Sequence, residues 1–210
     1  MKTFRRLAAA FSLVVVSVVA AGVASPAGAD PLSDALGDFE TETPVNVSVH
    51  DSISIPVLAE IPCVPGVTCD DSNRAAATIT CTLTMSVSAS AKKPTLSVTI
   101  DEYADSVATS DCSSSYVPTL TSSATVTHSC ALNSHNASDS GSGSGRGPVD
   151  AFATQRINVI GADWCAHGSQ ISWFMRTTMR TSWGATVAAC YRSNWSYGIG
   201  SPSGGFVACP

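Results

Sequence analysis

The sequence predicts an all-β fold, a disulfide-stabilised sandwich, on three observations. From Ala77 to Ala89, Ile79, Cys81, Leu83, Met85 and Val87 alternate strictly with Thr78, Thr80, Thr82, Thr84, Ser86 and Ser88, the period of a strand with one buried face. Eight cysteines, an even number, follow an export-type leader, as in chains whose core is held by disulfides. Short apolar alternations separated by turn residues recur along the chain.

Residues 1–29 read as a signal peptide. Lys2, Arg5 and Arg6 precede the apolar run from Leu7 to Ala24, and Ala27-Gly28-Ala29 supplies a small-x-small cleavage pattern, leaving Asp30 as the expected first mature residue. The Arg5-Arg6 pair lacks the remainder of a twin-arginine signal, and a disulfide-rich chain suits the general secretory route. Cleavage removes 29 of 210 residues and three of 11 cations, so 8 basic residues face 16 acidic ones. That balance argues against nucleic acid as partner. No second apolar run reaches the ~18 residues of a membrane span, so no transmembrane segment is expected, and the protein is placed outside the cell or at the cell envelope.

The region 30–137 is expected to be sandwich-like. It opens with a flexible start or one short helix around Leu32 to Leu36. Val45, Val47, Val49, Ile53 and Ile55 mark a strand that Pro56 is expected to interrupt. Cys63 to Cys69 encloses Val-Pro-Gly-Val-Thr, a turn. The strand at Ala77 to Ala89 passes through Ala91-Lys92-Lys93-Pro94 into Leu96, Val98 and Ile100, which makes a hairpin. A further strand is expected around Ala124, Val126 and His128. Residues 138–148, Gly/Ser-rich, have the composition of a linker or an exposed loop. Five cysteines precede them and three follow, so complete pairing demands a disulfide across the stretch, and the C-terminal β region 149–210 must be tied to what precedes it. All four tryptophans lie in that last region, together with an excess of arginine. Within it, Ile171 to Trp183 fits a strand, with Ile171, Trp173, Met175, Met179 and Trp183 on one face and Phe174, Arg176 and Arg180 on the other, better than a helix, because Thr177, Thr178 and Thr181 favour the strand. The general outline suggests an immunoglobulin-like sandwich, although no tryptophan stands between Cys81 and Cys112 or Cys130 where that core would place one.

Cys63, Cys69, Cys81, Cys112, Cys130, Cys165, Cys190 and Cys209 are read as disulfide partners. No pair has zinc-knuckle spacing, so neither a metal nor a cofactor is expected. No catalytic residue is assigned. The chain has no G-x-S-x-G elbow. Asp101 and Glu102 are adjacent on a strand and point to opposite faces, and with Asp105 they read as a solvated strand end. His128 and His135 read as surface or capping histidines. Asp163 and His167 in Ala-Asp-Trp-Cys-Ala-His-Gly form the stretch most open to catalysis. Asp70-Asp71-Ser-Asn73 lacks the pattern of a calcium loop. Asn46, Asn136 and Asn194 head Asn-x-Ser sequons.

The reading is a secreted protein acting without catalysis by binding an extracellular or cell-envelope ligand. Its contact surface is expected at Arg176 and Arg180 with Trp195 or Tyr197 beside them, suited to a glycan or anionic partner. Two alternatives stay open. A pore-forming toxin would insert the hairpin of residues 77–100, and a secreted hydrolase would need a pocket that gathers ionisable groups.

Overall fold

Strand β1 (Val45–Ile61) lies at the edge of a four-stranded sheet in the order β1-β2-β3-β6, with β2 (Ala77–Lys93), β3 (Thr99–Cys112) and β6 (Val149–Asn158). A second sheet of five strands runs β5-β4-β7-β8-β9, from β4 (Thr119–Ser129), β5 (Ser134–Ser144), β7 (Gln170–Arg180), β8 (Thr186–Ser196) and β9 (Ile199–Val207). This computed structural model describes residues 31–61, 77–113, 116–161, 164–182 and 184–210. Every pairing is antiparallel. The predicted turn at Cys63–Cys69, the Asp70-Asp71-Asn73 cluster, Asp163 and Trp183 lie outside the described residues.

The two sheets meet face to face through the alternation visible in the sequence, giving a sandwich-like, all-β architecture. Ile79, Cys81, Leu83, Met85 and Val87 are all buried, while Thr80 and Ser86 are exposed. One core cluster combines Met85, Ala104 and Ala153 of the first sheet with Val126, Trp173 and Tyr191 of the second. Strand β7 has its predicted faces: Ile171, Trp173, Met175 and Met179 are inside, and Arg180 is exposed.

Three expectations are corrected by packing. Pro56 does not interrupt β1, which runs on to Ile61. β1 is an edge strand, where a missing N–H leaves no ladder bond unmade on the free side. The helix α1 (Pro31–Glu42) runs beyond the short helix expected around Leu32 to Leu36, with proline at its first position, where the lost N–H is harmless. The stretch 138–148 is no linker, since Ser134–Ser144 is strand β5, paired along its whole length with β4. Its serines point outward, and its glycines sit where side chains would not fit: a Cβ on Gly141 would come within 2.1 Å of the Asp150 carbonyl oxygen on β6. Glycine here is a packing requirement of two closely apposed strands. Because β6 then joins β3 and β7 joins β4, residues before and after the stretch share both sheets.

Among the described residues, three disulfides staple this arrangement. Cys81–Cys112 links directly opposed positions of β2 and β3, Cys190–Cys209 holds the C-terminal segment to β8, and Cys130–Cys165 spans the Gly/Ser strand, as cysteine parity requires. No described cysteine is free. Among the described residues no helix is long and apolar enough to cross a membrane.

Candidate functional site

One end of the sandwich carries a buried polar chain that opens into a cavity. His128 is the penultimate residue of β4, and its even register turns it inward with Ala124 and Val126. Glu102 near the start of β3 faces inward too, and the two side chains are fully buried. Nδ1 of His128 lies 2.6 Å from Oε1 of Glu102, and Gln155 on β6, directly opposite Glu102 in register, donates from Nε2 to Oε2 at 2.8 Å. On the far side of the ring, Nε2 of His128 lies 2.7 Å from the hydroxyl oxygen of Ser169. In the tautomer with the proton on Nδ1, that N–H donates to Glu102 Oε1 and Nε2 is left to accept from the Ser169 hydroxyl.

Ser169 sits in the turn just before β7. That turn is clamped by backbone bonds: Ser169 N–H donates to Ala166 O at 3.0 Å, Gly168 N–H donates to Tyr197 O at 2.9 Å, and Tyr197 N–H donates to Ser169 O at 2.8 Å. The preceding segment is held by Cys130–Cys165 and by the N–H of His167, which donates to the buried carboxylate of Glu40 on α1 at 2.8 Å. The His167 ring bonds through Nε2 to Gly198 O, and a Cβ on Gly198 would collide with that ring. The α1 segment is fastened nearby by Lys93, whose Nζ donates to Thr41 O and Ser97 O at 3.2 Å. Burial pushes the Lys93 ammonium below its ordinary pKa, with Glu40 opposing. Burial, reinforced by Glu40, raises the Tyr197 phenol well above its usual range.

Ser169 is partly exposed and lines a cavity of about 380 Å³ together with Ser129, Cys130, Trp164, His167 and Gln170. Trp164 is 37% exposed and holds φ at 43°, the left-handed region that a bulky residue enters only under constraint. His128 and the sulfurs of Cys130 and Cys165 lie within 4.8 Å of one another. Both sulfurs are spent in a disulfide and both imidazole nitrogens already have partners, so the set does not fit a metal.

Two readings change here. Glu102 is no solvated strand end, and His128 is no surface histidine: each occupies an inward position of its strand, and each satisfies the other. The stretch around His167 does line the cavity, but the histidine joined to a carboxylate and a hydroxyl is His128. The signal available in the sequence was parity. His128 falls in step with Ala124 and Val126, and Glu102 with Ile100 and Ala104, so both were assignable to the interior.

The predicted contact residues divide between two faces. Arg180 is exposed and Arg176 half-buried on the outer side of β7, whereas Trp195 is 4% exposed and Tyr197 fully buried. Strand alternation and the core turn the two aromatic residues away from the arginines, so the expected Arg–Trp surface does not form. Their place is taken by Phe174, opposite Arg192 of β8 in register, with the guanidinium 5.5 Å from the ring centre. Every outward position across β5, β4 and β7 is Ser, Thr, Asn, Gln or Arg except Phe174, in rows such as Ser142–Thr121–Thr178 and Ser140–Ser123–Arg176. Nε of Arg176 is shielded from solvent without a hydrogen-bond partner. The outer face of the other sheet carries Asp101, Asp105, Asp111 and Asp150, with Arg156 paired to Asp101.

No family model matches the chain, and no curated protein or solved structure does so either.

Proposed function

We propose that the protein is a secreted binding protein that holds an anionic, hydroxyl-rich partner, such as an acidic glycan of the cell envelope, against the outer face of the five-stranded sheet. One observation carries the reading. Arg176, Arg180 and Arg192 stand on a face of Ser and Thr hydroxyls whose outward strand positions, among the described residues, include no acidic side chain, whereas the outer face of the other sheet carries Asp101, Asp105, Asp111 and Asp150.

Arg176 and Arg180 are four residues apart on one strand, about 13 Å at the strand rise, a spacing that suits repeating anions along a chain better than one small ion. The rows of hydroxyls between them offer donors and acceptors without directional demand, and the Phe174 ring adds one apolar surface for a sugar face. The division of charge orients an approaching polyanion toward this side. Membrane insertion of the hairpin at residues 77–100 is less well supported, because β2 would have to leave the core with Cys81 bonded to Cys112.

The test is binding of the mature protein to immobilised acidic and neutral polysaccharides, with Arg176→Ala/Arg180→Ala as the comparison. The expected result is retention on the acidic polymer that weakens with salt and falls at least tenfold in the double variant. Equal retention on neutral polymer, or a folded double variant that binds undiminished, overturns the reading.

A further inference from the structure

We infer that Ser169, His128 and Glu102 form a nucleophilic relay and that the adjoining cavity accepts a short acyl ester, an activity independent of the binding face proposed above. The geometry is that of nucleophile, base and orienting carboxylate in sequence: Ser169 Oγ to His128 Nε2 at 2.7 Å, His128 Nδ1 to Glu102 Oε1 at 2.6 Å. The two middle members, Glu102 and His128, are fully buried, Gln155 and Ser169 at the two ends are each partly exposed, and Ser169 lines the cavity. A purely structural polar chain has no need to end on an open cleft. The volume, about 380 Å³, lies at the small end of ligand pockets, and the exposed Trp164 ring at its wall is held in a strained backbone conformation of the kind that clusters at ligand sites.

In the reaction, the Ser169 Oγ–H proton passes to His128 Nε2 as Oγ bonds to the ester carbonyl carbon. The tetrahedral adduct collapses, the ester C–O bond breaks, and the leaving alkoxide takes the proton from His128 and departs as the alcohol. Water then gives a proton to His128 while its oxygen attacks the acyl carbon, the Oγ–C bond breaks, Oγ regains the proton, and the carboxylic acid leaves. Ser169 and His128 are the catalytic residues; Glu102 is a positioning residue that fixes the tautomer and steadies the imidazolium.

The turn limits the substrate class. The N–H groups of Ser169, Gly168 and His167 already donate to Ala166 O, Tyr197 O and Glu40, so they do not form a ready oxyanion hole. Loss of one such donor costs about 10²- to 10³-fold in other hydrolases, which restricts this site to esters with good leaving groups and excludes amides.

The experiment treats the mature, disulfide-intact protein with a fluorophosphonate probe, in which Oγ–P bond formation expels fluoride, and locates the adduct by peptide mass spectrometry. p-Nitrophenyl acetate hydrolysis is followed in parallel across pH. The expected result is one adduct, on Ser169, absent from Ser169→Ala. In Glu102→Gln, with folding checked by thermal melting, labelling slows at least 10²-fold and the midpoint of its pH profile moves down, because the imidazolium has lost its carboxylate. A structural role for Glu102 would not move that midpoint. Wild-type protein without an adduct at Ser169, or a folded Glu102→Gln that labels at the wild-type rate and pH dependence, overturns the inference.

Discussion

Glu102 and His128 lie on different sheets and meet at 2.6 Å with no exposure of either side chain, a polar contact across the interior of the sandwich. Removing one member leaves the other buried without its partner. Glu102→Ala is therefore expected to destabilise by about 3 to 5 kcal/mol in urea denaturation, while Glu102→Gln, which keeps a hydrogen-bonding group beside His128 and Gln155, costs markedly less. An alanine variant within about 1 kcal/mol of wild type would show that the two groups do not meet in solution.

On β2 the two faces should respond in opposite ways to the same charge. Leu83 is completely buried and Thr84 lies on the outer side, bonded to Ser54. Leu83→Asp is expected to abolish folding, and Leu83→Ala to cost about 2 to 5 kcal/mol, whereas Thr84→Asp stays near wild type in thermal melting. Similar losses at both positions would reverse the face assignment.

Most of the fold was legible because alternation and core position coincide. On β2, β4 and β7 the period-two pattern names the buried residues, and cysteine parity named the need for a link across residues 138–148. What local pattern could not show is what faces a strand from another part of the chain. Gly141 has flexible-linker chemistry until Asp150 is placed against it, and Pro56 reads as a breaker until β1 proves to be an edge. The site was hidden for the same reason. Glu102, His128 and Ser169 are separated by 26 and 41 residues, so their convergence depends on the sheet order, and no local motif marks it. The Arg–Trp surface failed through over-reading composition. Tryptophan and arginine share a region of sequence, but strand parity sends Trp173 and Trp195 into the core and the arginines out of it.

The Gly/Ser strand gives a test of that packing argument. Gly141→Ala places a Cβ against the Asp150 carbonyl and should lower the melting temperature by several degrees. Ser140→Ala on the outward side should leave it unchanged. If both substitutions are silent, β5 is not seated against β6.

Acidity tests the other sheet. Partial burial, with Asp150 nearby as a second cause, raises the Asp105 carboxyl above its ordinary pKa. A carboxyl whose folded pKa is raised favours folding while it is protonated, so its contribution is complete below the unfolded pKa and is lost as pH rises through the folded value. Asp105→Asn removes that penalty. The variant is expected to be more stable than wild type at neutral pH, with the difference shrinking as pH falls through and below the usual carboxylate range. Melting curves at several pH values measure this directly, and a difference that is absent at neutral pH, or that grows in acid, would mean that Asp105 is stabilised as the anion.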